Sequence, residues 1–241
     1  MTDQTWILTL SCQDRPRIVA TVAGAIGMIG GNIAESAQFW DRSPNSNRFF
    51  MRIAFQAPGS VDRHSLEAVL SPMITDFGMA LQLNRADEVP RIIIMVSKFD
   101  HCLEHLLYQL RVGWLRAEVV AIVSNHEAGR AAAQAAGIPY HLWPVTKDNK
   151  VEQEAKLLAL YQETRAELIV LARYMQVLSN DLSAQLFVQI INIHHSFLPS
   201  FKGAKPYHQA HERGVKIIGA TGHYVTPDLD EGPIIEQETE R

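Results

Sequence analysis

Cysteine is scarce: Cys12 and Cys102 are the only two in 241 residues, and they are far apart in the chain. That excludes a disulfide framework and fits a protein kept reduced. No apolar run approaches the roughly 20 residues a membrane helix needs. The opening MTDQTW has no basic region followed by an apolar core, so no secretory leader is expected and a cytoplasmic location is. Positive charge is not in excess, with 22 Lys and Arg against 26 Asp and Glu and a formal net charge of -4. A nucleic-acid partner would favour a basic chain, so neither nucleic acid nor membrane is expected as a partner. No glycine-rich dinucleotide fingerprint occurs. What remains is ordinary globular composition, 47% hydrophobic and 20% charged, at a length that allows one large domain or two small ones.

The first third reads as β-α-β-β-α-β. Trp6, Leu8 and Leu10 share one face of a strand over 5–12, and Asp14-Arg15-Pro16 turns into a helix striped by Ile18, Val22, Ile26 and Ile29. Gly30-Gly31-Asn32 ends that helix, a strand over 33–41 follows, and Arg42 to Asn47 reads as a hairpin loop. Phe49, Met51, Ile53 and Phe55 alternate with polar residues; Leu66, Val69, Leu70, Met73, Ile74 and Phe77 recur at helical spacing; Met79, Leu81 and Leu83 alternate again. This order predicts a ferredoxin-like α+β domain over 1–86. Asp87-Glu88-Val89-Pro90 is a polar, proline-ended linker over 87–90.

Residues 91–241 predict a doubly wound, mostly parallel α/β domain. Near-continuous apolar runs at 91–97, 119–124 and 168–172 suit strands covered on both faces. Between them lie helical stripes, Leu103, Leu106, Leu107 and Leu110 in one, Val151, Ala155, Leu158 and Ala159 in another. Tyr207 to Arg213 reads as an amphipathic helix ended by Gly214; its His208 and His211 have no cysteine or carboxylate at ligand spacing beside them, so no metal is expected.

The chemistry gathers late in the chain. Ile190-Ile191 starts a buried strand that breaks into Asn192, His194, His195 and Ser196 before Pro199 and Gly203. Asn192 and His194 are two apart and so share a side of an extended backbone. The same residues also suit a strand running into a polar surface loop with ordinary histidines. Leu229-Asp230-Glu231-Gly232-Pro233, a carboxylate in a turn just before the apolar Ile234-Ile235, favours the catalytic reading. Asn can donate to a developing oxyanion, His can move a proton and Asp can accept one, which together suit acyl chemistry at a carbonyl.

Asn-Ile-His followed by Ser-x-Leu-Pro, a Gly and a downstream Leu-Asp-x-Gly-Pro resembles the folate-dependent formyltransferase family. The resemblance implies that Asn192, His194 and Asp230 form a catalytic trio, that His223 lies beside Asp230 and orients it, and that Tyr174, Met175, Gln176, Val177 and Leu178 line a pterin pocket. Ser97-Lys98-Phe99-Asp100-His101-Cys102-Leu103 lacks the glycine-rich loop that holds the substrate phosphate in the branch formylating glycinamide ribonucleotide. It is similar instead to the deformylase branch, which hands the formyl group to water. That branch implies hydrolysis of 10-formyltetrahydrofolate to formate and tetrahydrofolate, supplying formate for one-carbon and purine metabolism, with the folate as substrate and no separate cofactor or metal.

The N-terminal segment resembles an ACT domain in Asp-Arg-Pro-x-Ile-Val and Gly-Gly-Asn. That implies a regulatory or oligomerisation role, with Asp14, Gly31 and Asn32 as candidate contacts for an amino-acid effector; the same three residues also suit ordinary turn and cap chemistry. Sheets of this kind pair at their edges, so a homo-oligomer, dimer or tetramer, is expected. Members of the family continue through a further helical stretch beyond the position of Arg241, so the C-terminus reads as short. Two alternatives stay open: a transferase passing the formyl group to an amine, and an inactive amino-acid-sensing protein.

Overall fold

The computed structural model describes residues 3–41, 47–201 and 205–240, apart from the side chain of the last. Gly203 and all of the expected hairpin loop except Asn47 lie outside the described residues. The chain divides into two compact units, Met1–Glu88 and Val89–Arg241.

The first unit runs β1 (Gln4–Gln13), α1 (Ile18–Met28), β2 (Asn32–Asp41), β3 (Arg48–Ala57), α2 (Arg63–Phe77) and β4 (Ala80–Arg85). Its antiparallel sheet has the order β2-β3-β1-β4. Trp6, Leu8, Leu10 and Cys12 on β1 stand opposite Phe55, Ile53, Met51 and Phe49 on β3. Residues directly opposite share a face, and here that face is buried under Ile18, Val22 and Ile26 of α1 and Leu66, Leu70 and Met73 of α2. Asp62 caps α2, its carboxylate accepting from the Ser65 N–H at 2.8 Å. Gly31 has no room for a side chain, since a Cβ would come within 2.8 Å of the Ile26 carbonyl oxygen. β2 is an edge strand, exposed along most of its length.

The second unit contains β5 (Arg91–Val96), α3 (His101–Arg111), β6 (Glu118–Ser124), α4 (Arg130–Ala135), β7 (Tyr140–Leu142), α5 (Lys150–Glu163), β8 (Leu168–Leu171), α6 (Asn180–Gln185), β9 (Ile190–His194), α7 (Pro206–Glu212), β10 (Ile218–Tyr224) and β11 (Ile234–Glu240). Among the described residues the strands form one seven-stranded sheet, β11-β10-β9-β8-β5-β6-β7, in which β10 runs antiparallel to both its neighbours, β9 and β11, and every other pair is parallel. The continuous apolar run of β5 serves both faces. Ile92, Ile94 and Val96 pack with Leu103 and Ala133 of α3 and α4, while Ile93 and Met95 pack with Leu157 and Leu182 of α5 and α6.

One expected stripe is only partly on the inward side: its Leu158 packs against the core. Val151, Ala155 and Ala159 of α5 face solvent, Val151 at 81% exposure, and Leu157 is the residue driven into the core at 2%. The inward face also carries Gln153 and Glu154. Glu154 turns its carboxylate to the Ser179 N–H at 2.8 Å, so a half-buried polar pair hides the true apolar period.

Candidate active site

The site begins with strand register. β9 lies between parallel β8 and antiparallel β10, and Asn192 stands opposite Leu171 on one side and His223 on the other. Opposed residues on an antiparallel pair share a face, so the Asn192 amide meets the His223 ring, Nδ2 to Nε2 at 3.2 Å. His194, two residues on, projects to the same side. β10 then leaves the sheet into the turn that holds Asp230, whose backbone takes a positive φ of 56°. The turn folds Asp230 back between the two rings, with Oδ2 3.4 Å from His194 Nδ1 and Oδ1 3.8 Å from His223 Nε2. The expected trio and its flanking histidine are therefore brought together, and His194, His223 and Asp230 are all buried.

The hydrogen-bond partners assign the protons. His223 Nδ1 lies 2.9 Å from the Tyr224 carbonyl, so this nitrogen carries the hydrogen and donates. Burial pushes the His223 imidazole below its ordinary range; the neighbouring His194 works in the same direction, and the Tyr224 carbonyl and Asp230 oppose it. In the neutral ring Nε2 is then an acceptor, and the Asn192 amide donates to it. At 3.8 Å from Asp230, that nitrogen is beyond hydrogen-bond reach of the carboxylate. His223 thus fixes the amide of Asn192 directly, and its Nε2 stands beside the Asp230 carboxylate without a hydrogen bond to it. His194 has an oxygen facing each nitrogen, the Phe201 carbonyl 3.2 Å from Nε2 and Asp230 Oδ2 near Nδ1. A neutral ring can donate to one of these; an imidazolium donates to both.

These groups form one end of a cavity of about 340 Å³, within the size range of small-molecule sites. Tyr174, Met175, Gln176, Val177 and Leu178 line it together with Asn192, His194, His223 and Asp230. Met175 and Val177 are largely exposed, Met175 at 62%, while Leu178 is buried behind them. Burial, with Glu154 adding to it, pushes the Tyr174 phenol up to about 12, so that wall stays uncharged. Asp14, Gly31 and Asn32 belong to the first unit, where the Asp14 N–H donates to the Asn47 carbonyl at 2.9 Å and Asn32 opens β2.

Parts of the lining that the sequence reading gave no role include Ser183, His195 and the segment from Val225 to Asp228. His195 stood among the polar residues that end β9 but without a role of its own, and Arg173 lies in the same stretch as the expected pocket wall. Burial lowers the His195 pKa, with His194 and Arg173 adding to the effect and Asp230 opposing it.

A family model described as formyl transferase matches residues 90–240. The chain belongs to the formyl transferase family. Beyond the matched segment, similarity extends over nearly all of its length. The chain is 46% identical over 235 residues to formyltetrahydrofolate deformylase of Bacillus subtilis (strain 168), covering 97% of this chain and 78% of the relative. It is 48% identical over 235 residues to the protein of that name from Corynebacterium sp. (strain P-1), covering 96% and 81%. The crystal structure of formyltetrahydrofolate deformylase from Burkholderia mallei ATCC 23344 superimposes with a TM-score of 0.90 at 47% identity, over 99% of this chain and 84% of that one.

Proposed function

We propose that this chain hydrolyses 10-formyltetrahydrofolate to formate and tetrahydrofolate. The observation that carries the reading is the convergence of Asn192, His194 and Asp230 at one end of the cavity, in a chain so similar over its length to proteins named formyltetrahydrofolate deformylase. The pterin lies along Tyr174 to Leu178, with Met175, Val177 and Leu178 as apolar walls. Asp230 orients water and takes its proton as the oxygen attacks the formyl carbon. Asn192, held in place by His223, donates to the developing oxyanion. His194 donates to that oxygen or passes a proton to the departing folate nitrogen. The C–O bond forms first, giving the tetrahedral oxyanion, and the C–N bond breaks as that oxyanion collapses to formate and the folate nitrogen takes the proton. The reaction calls on no cofactor beyond the folate itself, and its formate would feed one-carbon and purine metabolism in the cytoplasm.

The test is formate release from 10-formyltetrahydrofolate in buffer without any amine. Stoichiometric formate and tetrahydrofolate support the reading. Folate binding without formate, followed by turnover when an amine is added, would make the protein a transferase.

The first unit we read as an ACT-type regulatory module. Its β-α-β-β-α-β order and exposed edge strand β2 support pairing with a second copy into a homo-oligomer. Asp14, Gly31 and Asn32 are the proposed amino-acid contacts. Calorimetric titration with single amino acids tests this, and silence across the set would refute it.

A further inference from the structure

β5 and β8 are neighbours in the sheet, but the chain leaves them in opposite directions. From β5 it enters α3, whose Leu103 joins the core on one face; from β8 it enters α6, whose Leu182 joins the core on the other. The gap between the two departing loops is a topological switch point, the place where open α/β sheets receive ligands. It adjoins β9 and therefore the reaction site. Here the gap is bridged. Arg173, in the loop after β8, reaches the loop after β5, stacks its guanidinium 4.9 Å from the centre of the Phe99 ring and brings Nη1 to 3.1 Å from His101 Nε2. A guanidinium only donates, so His101 accepts. Arg173 takes a positive φ of 64°, unusual for a residue with a side chain, and it also lines the catalytic cavity.

We propose that Arg173, held on Phe99 and His101, closes the switch-point crevice beside His194 and so restricts the formyl acceptor to water. The proposal rests on the hydrolytic reading above. Water needs no crevice; an amine does, because its substituents must lie outside the space that the formyl carbon and the pterin occupy. With an amine the new bond is C–N instead of C–O, and in both cases one proton of the nucleophile ends on the departing folate nitrogen. The clasp decides which nucleophile arrives and leaves the chemistry of the trio as it is.

The test is product partition. Wild type, Arg173→Gly and Phe99→Ala are given 10-formyltetrahydrofolate with a fixed excess of glycinamide as amine probe, and formate and N-formylglycinamide are counted. Glycine accepts the positive φ, so Arg173→Gly removes the clasp without straining the loop. Wild type should yield formate only. Either variant should yield N-formylglycinamide at least about tenfold above the background measured with wild type, the lower end of what filling a pocket contributes to discrimination. An unchanged partition in Arg173→Gly overturns the proposal; if that variant is unfolded by circular dichroism, an unchanged partition in Phe99→Ala does so. A merely structural clasp would change the rate and leave the partition alone. No formate from the wild type sinks the hydrolytic reading itself, a result distinct from formate alone from wild type and variants.

Discussion

At the scale of single residues, Asp230 is where backbone and chemistry meet. Its φ of 56° is one that few residues other than glycine adopt, with Asp and Asn among the tolerant ones. Asp230→Asn should therefore keep the turn while removing the carboxylate that faces His194. The variant is expected to lose at least about a hundredfold in kcat, the scale of one preorganised group, as are Asn192→Ala and His194→Ala. Folate binding, followed by fluorescence titration, should persist in all three because the walls from Tyr174 to Leu178 are untouched. Wild-type turnover in Asp230→Asn would remove Asp230 from the mechanism. The motif made these three residues legible as a set. It did not reveal that His223 serves Asn192 more than Asp230, since that depends on which nitrogen finds the Tyr224 carbonyl.

At the scale of elements, the turn between β10 and β11 is held by a glycine with no spare space. A Cβ on Gly232 would collide with the Tyr224 carbonyl oxygen, the same oxygen that accepts from His223 Nδ1. The Tyr224 N–H in turn donates to the Pro233 carbonyl at 2.9 Å. Gly232→Ala must push the turn or that carbonyl aside, an overpacking cost of about 1–3 kcal/mol. It should lower kcat along with the urea midpoint, because the displaced carbonyl frees the His223 ring and with it the Asn192 amide. A variant with normal turnover would show that the ring's orientation is not needed. Gly-Pro after Asp was readable as a turn; the reason for glycine was not, because the atom it avoids belongs to a strand eight residues earlier. Three of the four residues of the α5 stripe, all but Leu158, were misplaced for a related reason. Its inward face includes Gln153 and Glu154, and periodicity of apolar residues cannot register a polar side chain that finds its partner, Ser179, on another segment.

At the scale of the whole molecule, desolvation of two histidine rings, His223 and His195, is expected to make stability depend on pH. Burial holds His223 and His195 below the ordinary histidine range of about 6.5, which the unfolded chain retains. Above that range neither state is protonated at these sites and the stability is whole. As pH falls below it the unfolded chain binds protons that the folded protein refuses, so stability declines with falling pH until the folded rings titrate as well. Urea unfolding between pH 7.5 and 5 should show that decline, and His223→Gln should make it shallower; equal slopes would mean the buried ring titrates normally. Two units, each with its own apolar core, carry this chain. By itself the sequence determined the class of each unit, through periods of two and of three to four residues, and the grouping of the candidate trio, because amide, imidazole and carboxylate sit in local motifs. Only the tertiary structure decided which proton each histidine holds, which face of α5 is inside, and that Arg173 spans the gap between two loops. Those outcomes depend on atoms brought together from distant parts of the chain, and no local pattern encodes such a meeting.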